Sequence, residues 1–411
     1  MPQMRIRRSE FYFLFHDEFP FLDLKELFQG KAAIGSLRQT YALSIVAGSA
    51  FPLSREHLEV LAFASSSQYL DTEILARMAK VDNARVADLV SFGLLLEECI
   101  PYEKNSFGWR EQKLRDTGWS KLAALYHFMS KWDHVDVGLR LPRTDEELSM
   151  QEGDKLAFFD EWCERHGPPP SQVVEREDAQ ELVDLPLIPQ SSDFYSLLKA
   201  RKTTRHLTRV DPLSVRDLSI ILYYVFGWHG YLPLPQGAMG VKKTSPSGGD
   251  LHPIECYVLA TSVEGLESGL YHYRGDRHAL EFLCPMTEET AAKVSVSFAA
   301  GQEYVSNASA LFLMTARFHR SYWKYRDNPR SYAVIMMEAG HLSQTFYLVC
   351  ASLGLGAFVT AAVNGSEIER LVEIDGIQEG AIAICGCGRS SDRNFGLDPT
   401  FLPFVPRTTP S

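Results

Sequence analysis

Cysteine is sparse in this 411-residue chain: there are seven, an odd number, with no CxxC pair. Cys385 and Cys387, in "CGCG", are the only two close together. Reduced thiols are therefore expected, not a disulfide framework or a zinc site. No two histidines stand at metal-ligand spacing, so no metal is expected. Positive charge is also short. Lys and Arg number 41 against 52 Asp and Glu, for a net charge of −11, which excludes broad, sequence-independent binding to nucleic acid. No run approaches the roughly 18 apolar residues of a membrane span. The "FYFLF" patch at 11–15 is far shorter than a signal-peptide core and runs into His16 and Asp17, with no small-residue cleavage site. These absences predict a cytoplasmic protein that binds neither nucleic acid nor membrane.

What remains is ordinary globular composition, 45% hydrophobic and 23% charged, with room for two domains of about 100 to 200 residues each. There is no internal repeat. The clearest break is "ERHGPPPSQVVEREDAQELVDLPLIPQ", residues 164–190, whose prolines and charges favour an extended connection. The sequence thus divides into an N-terminal domain over 1–165, a proline-rich linker over 166–190 and a C-terminal domain over 191–411.

Between residues 52 and 98, helical spacing recurs at Leu58, Leu61 and Ala62, at Ile74, Leu75 and Met78, and at Val86, Leu89, Val90 and Phe92. Ser54 is placed to cap the first helix, with Glu56 and His57 in its opening turn. Gly93 ends the third helix, and "LLLEE" then reads as a strand. Three short helices and a strand outline a winged helix. Its candidate recognition segment, "DNARVADLVSF", holds only Arg85 against two aspartates, which disfavours DNA readout. The outline also resembles the winged-helix modules with which peptide-modifying enzymes hold a precursor's leader as an added strand. A winged helix used only for packing or dimerisation is the plain alternative.

The second half alternates helix and strand. "SVRDLSIILYYVFGW" reads as an apolar helix, and "IECYVLATSV", "GLYHYR", "ALFLMTARF" and "AIAICGCG" read as strands. "RSYAVIMMEAGHLSQTFYLVCASLGL" is a long helix, apolar nearly all round, and is expected to be central and buried. Well-separated strands mixed with helices predict an α+β sandwich rather than a doubly wound sheet.

Three segments carry candidate chemistry. "RKTTR" puts Arg201, Thr203 and Arg205 on alternate positions, so that an extended chain turns two guanidiniums and a hydroxyl the same way, as a phosphate grip would. "KKTSPSGGDLHP", residues 242–253, joins two lysines to adjacent glycines; glycine permits close approach, and lysines with free N–H groups favour an anion. "GCGR" adds Arg389 beyond a strand end. Singly, each is more often a turn or a solvated patch. His252 and His341 read as satisfied buried histidines, His341 sharing a helix face with Glu338 and Gln344. Cys385 and Cys387 read as packing residues.

In this order the segments resemble the nitroreductase-like flavoproteins, in particular the SagB-type peptide azoline dehydrogenases. The resemblance rests on Arg201, Thr203 and Arg205, then Pro246, Ser247, Gly248 and Gly249, then "GLYHY" at 269–273 and "LGLG" at 353–356. "ALYHFMSKWDHVD" resembles the opening of such chains through Tyr126, His127, Ser130 and Lys131. The resemblance implies an FMN-binding sandwich built on an antiparallel-rich sheet, with FMN at a homodimer interface. Arg201, Thr203, Arg205 and Arg389 would lie toward the phosphate and ribityl chain, and Pro246, Ser247, Gly248 and Gly249 beside the flavin. Ala361 and Ala362 would pass near flavin N5, where many relatives carry glutamate and glycine.

In "SYWKYRDNPRSY", Lys324 and Tyr325 correspond to the Lys-Tyr pair of that branch, followed by Arg330 and Tyr332, with "DNP" stretching the usual spacing. An aromatic, basic surface loop is the plain reading of the same residues. Azoline oxidation removes a proton and a hydride from adjacent carbons. Tyr325 is expected to be the base, with the Lys324 ammonium favouring its phenolate. The expected protein is an FMN-dependent dehydrogenase of a ribosomally made precursor peptide, forming azoles or desaturating a residue, with a cyclodehydratase or other maturation enzyme as a partner. An NAD(P)H-dependent nitro or quinone reductase and a flavin-free peptide-binding scaffold stay open as alternatives.

Overall fold

The computed structural model describes residues 4–22, 34–99, 101–138, 145–174, 176–183, 185, 192–392 and 398. The end of the expected linker, 186–190, lies outside them. The rest of it that is described, from Gly167 on, contains no helix or strand.

The N-terminal half begins with two small antiparallel sheets. One orders Leu70–Asp71, Arg5–Arg8 and Leu95–Glu97, and the other joins Tyr12–Leu22, Ile34–Ser44 and Ser49–Leu53. Only the last strand of the first sheet was anticipated. The helices fall where the periodicity put them, at Arg55–Phe63, Thr72–Ala79 and Asn83–Ser91. Ser54 caps the first in a reciprocal box with His57, and Gly93 follows the third with φ +66°. Leu61, Leu75, Val86, Leu89 and Leu95 form a common core with Ile6. Ile74 and Met78, expected inside, are exposed, because the Thr72–Ala79 helix turns Leu75, Ala76 and Ala79 inward instead.

The first strand is tied to the Phe107–Thr117 helix by Glu111, which is fully buried. Its carboxylate accepts from Arg7 Nη1 at 2.6 Å, Ser9 Oγ at 2.5 Å, Arg115 Nη2 at 2.9 Å and the Glu10 N–H at 3.0 Å. Four donors compensate the charge taken from water. The Lys121–Ser130 helix follows.

The C-terminal half is the α+β sandwich. Its sheet runs Ala279–Pro285, Gly269–Arg274, Ile254–Ala260, Ala310–Arg317, Glu379–Ser390 and Gly356–Thr360, every pair antiparallel, with Leu207–Thr208 at the end of the Glu379–Ser390 strand. Alternate side chains of a strand face opposite layers. Ile254, Cys256 and Val258 therefore join a core with the Val215–Phe226 and Arg330–Ser352 helices, while Tyr257 and Leu259 pack on the other side with residues of the Glu288–Phe298 and Gly365–Leu371 helices. Cys385 and Cys387 are buried in the first layer, as expected, and burial pushes the Cys385 thiol up to about 12.

The long Arg330–Ser352 helix departs from expectation. Ile335, Glu338, Leu342, Phe346 and Cys350 are buried, but Ala333, Met337, Gly340, His341 and Gln344 are exposed. Its apolar residues run past the face that the sheet covers. His341 is hydrogen-bonded, but it is not buried.

Candidate functional site

Thr204 is buried and its N–H donates to the Ala357 carbonyl at 2.7 Å, so its neighbours Thr203 and Arg205 turn the other way. The Thr203 hydroxyl meets the Tyr347 hydroxyl at 3.0 Å, and the Val359 N–H donates to that same oxygen at 3.0 Å. The Arg201 guanidinium lies 5.3 Å from the Tyr347 ring centroid. Arg205 lies 5.7 Å from the Tyr304 ring centroid and is engaged by Asp398, which accepts from its backbone N–H at 2.8 Å, from Nη1 at 3.3 Å, and pairs with His206 Nδ1 at 2.5 Å. Arg389 pairs with Thr208 in the adjoining strand, and its guanidinium lies 3.5 Å from both Asp211 and Asp217. The structure thus groups Arg201 and Thr203 on Tyr347, next to the Gly356–Thr360 strand whose end leads into Ala361 and Ala362. Gln302 Nε2 fixes that end by donating to Thr360 Oγ1 at 3.1 Å and the Ala362 carbonyl at 3.3 Å.

The glycine loop lies against the long helix. His341 Nδ1 is 3.2 Å from the Pro246 carbonyl. Ser247 Oγ donates to the Glu338 carboxylate and accepts the His252 N–H at 2.9 Å. Glu338 is 3% exposed and lies 3.8 Å from His252 Nδ1; His252 in turn meets Asp250 through Nε2 at 3.2 Å. A Cβ on Gly248 would overlap the Val334 Cγ1 methyl. Gly249 has φ +68°, and a Cβ there would lie 2.6 Å from the Tyr325 hydroxyl and 2.9 Å from Lys324 Nζ. The two glycines therefore admit the chain's own side chains, and Lys324 and Tyr325 converge on the loop.

Lys324 ends the Phe318–Lys324 helix, and the Tyr325 N–H caps it by donating to the Ser321 carbonyl at 2.9 Å. The Lys324 ammonium is 5.6 Å from the Tyr325 ring centroid. The "DNP" insertion has a structural use. Asp327 takes φ +58° and its N–H donates to the Gly118 carbonyl at 3.2 Å, while Arg326 packs over Gly118. The pair is therefore braced by the N-terminal half. Arg330 is exposed at the start of the long helix, whereas Tyr332 is bonded to His127 at 3.0 Å.

Tyr126, His127, Ser130 and Lys131, singled out in the sequence, lie where the two halves meet. Lys131 bonds both carboxylate oxygens of Glu369 at 2.8 Å, and Trp119 Nε1 donates to the Ile377 carbonyl at 2.9 Å. Sequence reasoning missed Tyr347, Tyr304 and Val334; Tyr347 and Val334 lay within the long helix only as aromatic and apolar residues, and no pattern marked Tyr304. Three metal-capable groups, Asp133, His134 and Glu367, also cluster, but Arg370 takes up Asp133 and His134 pairs with Glu367 at 2.8 Å.

A cavity of about 1250 Å³ opens beside the loop, lined in part by Gly249, His252, Lys324 and the Met239–Lys242 strand. No helix among the described residues is long and apolar enough to cross a membrane.

An antiparallel sheet between helix layers, with a cationic edge and a glycine loop carried on one long helix, defines the C-terminal half as an α+β sandwich domain. Residues 198–389 match the model of the nitroreductase family. A protein of Methanocaldococcus jannaschii named as a nitroreductase is 31% identical over 178 residues, 43% of this chain and 82% of that protein. The chain belongs to the nitroreductase family. Trifolitoxin-processing protein TfxB of Rhizobium leguminosarum bv. trifolii is 26% identical over 266 residues, 63% of this chain and 70% of that protein. Among solved structures, a chain of the E. coli microcin synthetase McbBCD complex with truncated pro-MccB17 bound is 22% identical, with a TM-score of 0.41, covering 61% of this chain and 95% of that one.

Proposed function

We propose that this protein is an FMN-dependent dehydrogenase that oxidises a ribosomally made peptide, turning an azoline into an azole or desaturating a residue. The observation that carries the reading is the convergence of Lys324 and Tyr325 on Gly249. A nitro or quinone reductase has no need of a phenol and an ammonium held together at that loop. The similarity to a trifolitoxin-processing protein, which extends beyond the family domain, supports a peptide as substrate.

The residues present fit a phosphate-bearing cofactor. Arg201 has no ion-pair partner among the described residues, and its guanidinium stands beside the Thr203 hydroxyl at Tyr347. These two would hold the phosphate end, with Arg205 and Arg389 beyond them. Pro246, Ser247, Gly248, Gly249, Ala361 and Ala362 would border the ring. When bound, FMN supplies the acceptor for the hydride that leaves the β-carbon. As a phenolate, Tyr325 would take the α-proton on its oxygen and become the neutral phenol, with the Lys324 ammonium beside it as the counter-charge to the base before transfer.

On the long helix, Glu338 faces the glycine loop and Tyr347 the phosphate grip. Nine residues at 100° each set them on opposite faces, about 13.5 Å apart along the axis. That separation, together with the open stripe at Met337, Gly340 and Gln344, supports a site completed across a homodimer. The N-terminal helices and three-stranded sheet would act as a winged helix that takes the leader as an added strand. A cyclodehydratase or another maturation enzyme is the expected partner.

The test is the absorption spectrum of the purified protein, with mass identification of any released chromophore. FMN release, and a Tyr325→Phe variant that keeps FMN but oxidises candidate peptides about 100-fold more slowly or worse, is the expected result. Rapid flavin reduction by NAD(P)H that is indifferent to Tyr325→Phe favours the reductase. A colourless protein that takes up no FMN leaves the scaffold.

A further inference from the structure

We propose that the cavity beside the glycine loop is a carboxylate-binding subsite for the substrate peptide, with Lys243 and Arg320 as the groups that bind the carboxylate. The proposal rests on the peptide reading and specifies what the peptide brings close to the residue being oxidised.

Lys243, Arg320, Lys324 and Arg326 all line this cavity, and among the described residues none of them has an ion-pair partner. The four acids of the same lining each have a partner, three of them within the lining itself. Asp276 is bound by Arg274 at 2.7 and 2.8 Å, Glu255 by Arg317 at 3.1 Å and Asp116 by Gln112 at 2.7 Å. Asp250 meets His252. Arg320 uses Nε to hold the Leu251 carbonyl at 2.7 Å, which leaves its two Nη groups. Six lysines and arginines line the cavity against four aspartates and glutamates, so it keeps an excess of positive charge.

Burial sharpens this demand. Desolvation lowers the Lys243 ammonium below its usual range despite the attraction of Glu255 and Glu338, and it lowers the Arg320 guanidinium, with Arg317 repelling it further and Glu255, Glu338 and Asp250 offsetting only part. A carboxylate from the ligand relieves both, and charge-assisted hydrogen bonds in such surroundings are among the stronger ones. In a chain with a net charge of −11, unpaired cations collected in one hollow are not explained by the overall balance of charge. Phe226, Trp228, Val241 and Ile254 supply an apolar wall, and the volume exceeds the roughly 300 to 1000 Å³ of a drug-sized site. Several residues of an extended peptide fit such a space, one of them acidic. Lys324 contributes to both the catalytic pair and the lining, so the subsite adjoins the reacting residue.

The test is calorimetric titration of the full chain, as purified, with three hexapeptides. Two are capped at both ends and differ only in carrying two glutamates or two glutamines; the third is the glutamine peptide with a free C-terminal carboxylate. The glutamate peptide is expected to bind about tenfold more tightly than its glutamine counterpart, and Lys243→Gln should reduce that ratio toward one without changing flavin content. Arg320→Gln should act likewise, and if the loss of its bond to Leu251 prevents folding, Lys243→Gln carries the test alone. The same tenfold gain for the free C-terminus alone also supports the subsite and assigns it to a chain end. Equal affinity for all three peptides overturns the proposal, as does loss of FMN from Lys243→Gln, which would assign these cations to the cofactor. Binding does not require turnover, so a flavin-free protein that keeps the charge preference would sink the dehydrogenase reading and leave the subsite standing.

Discussion

His127, from the N-terminal half, places Nδ1 3.0 Å from the Tyr332 hydroxyl and Nε2 3.3 Å from the Gly376 carbonyl. A neutral imidazole satisfies both contacts, with Nε2–H donating to the carbonyl and Nδ1 accepting from the phenol. Tyr332 opens the long helix that carries the glycine loop, so one neutral histidine ties the N-terminal half to the frame of the candidate site.

That histidine makes stability depend on pH in a stated direction. Burial, reinforced by Lys131, holds its pKa well below the usual value. In the unfolded chain it titrates near 6.5. Between those limits the unfolded state binds the extra proton, so stability rises with pH and falls as pH drops below about 6.5. Urea unfolding at pH 7.5 and 5.5 should show this loss, at most about 1.4 kcal/mol per pH unit from this group. His127→Gln should be less stable at pH 7.5 and show a smaller difference between the two conditions.

Lys131 and Glu369 form a buried bidentate pair across the same junction, with side chains 12% and 10% exposed. Removing one partner strands a charge. Lys131→Met is expected to cost about 3 kcal/mol or more, seen as a lower denaturation midpoint. Combining it with Glu369→Gln should recover part of that, because the remaining amide can still accept the Ala381 N–H that Glu369 holds at 3.1 Å. If the double variant is no more stable than Lys131→Met, charge burial is not the source of the loss.

Gly248 offers a test of the loop itself. The atom that a Cβ would strike belongs to Val334, whose β-branched side chain has little rotamer freedom on a helix. Gly248→Ala should therefore lower the melting temperature by several degrees, consistent with overpacking of about 1 to 3 kcal/mol. Val334→Ala in the same chain should recover most of it. Gly249→Ala should behave differently: its positive φ penalises alanine whatever the space, so shortening Tyr325 or Lys324 will not rescue it.

The parts of the fold that were legible in the sequence are those where one face is buried and the other wet. Leu61, Leu75, Val86 and Leu89 betrayed their helices, and the strand at Ile254–Ala260 showed as a run apolar but for Glu255, because its other residues are buried on both faces. The strands at Tyr12–Leu22 and Ile34–Ser44 were not anticipated. Much of that ribbon is exposed, and Leu14, Phe15, Phe19 and Leu37 stand open on it, so no inside-outside alternation marks it. At the candidate site, glycines and arginines were legible as residue types. Their partners were not: that Glu338 takes Ser247 and that Asp398 takes Arg205 follow from contacts 91 and 193 residues apart, which no local pattern encodes.

Arg201 is the cleanest probe of cofactor binding, because it makes no structural ion pair among the described residues while Arg205 and Arg389 each stand against carboxylates. Changing it to glutamine removes a charged donor without stranding a buried acid, so folding stability should shift by less than about 1 kcal/mol. A charge-assisted bond to a phosphate is worth about 1.5 to 3 kcal/mol, so Arg201→Gln should weaken FMN by about tenfold or more. Titration of flavin-stripped protein with FMN, followed by quenching of flavin fluorescence, reads this directly. Riboflavin, which lacks the phosphate, should bind the native and variant proteins alike. If the variant loses riboflavin affinity as well, Arg201 acts on the ring or on the fold, and the phosphate grip must be sought elsewhere.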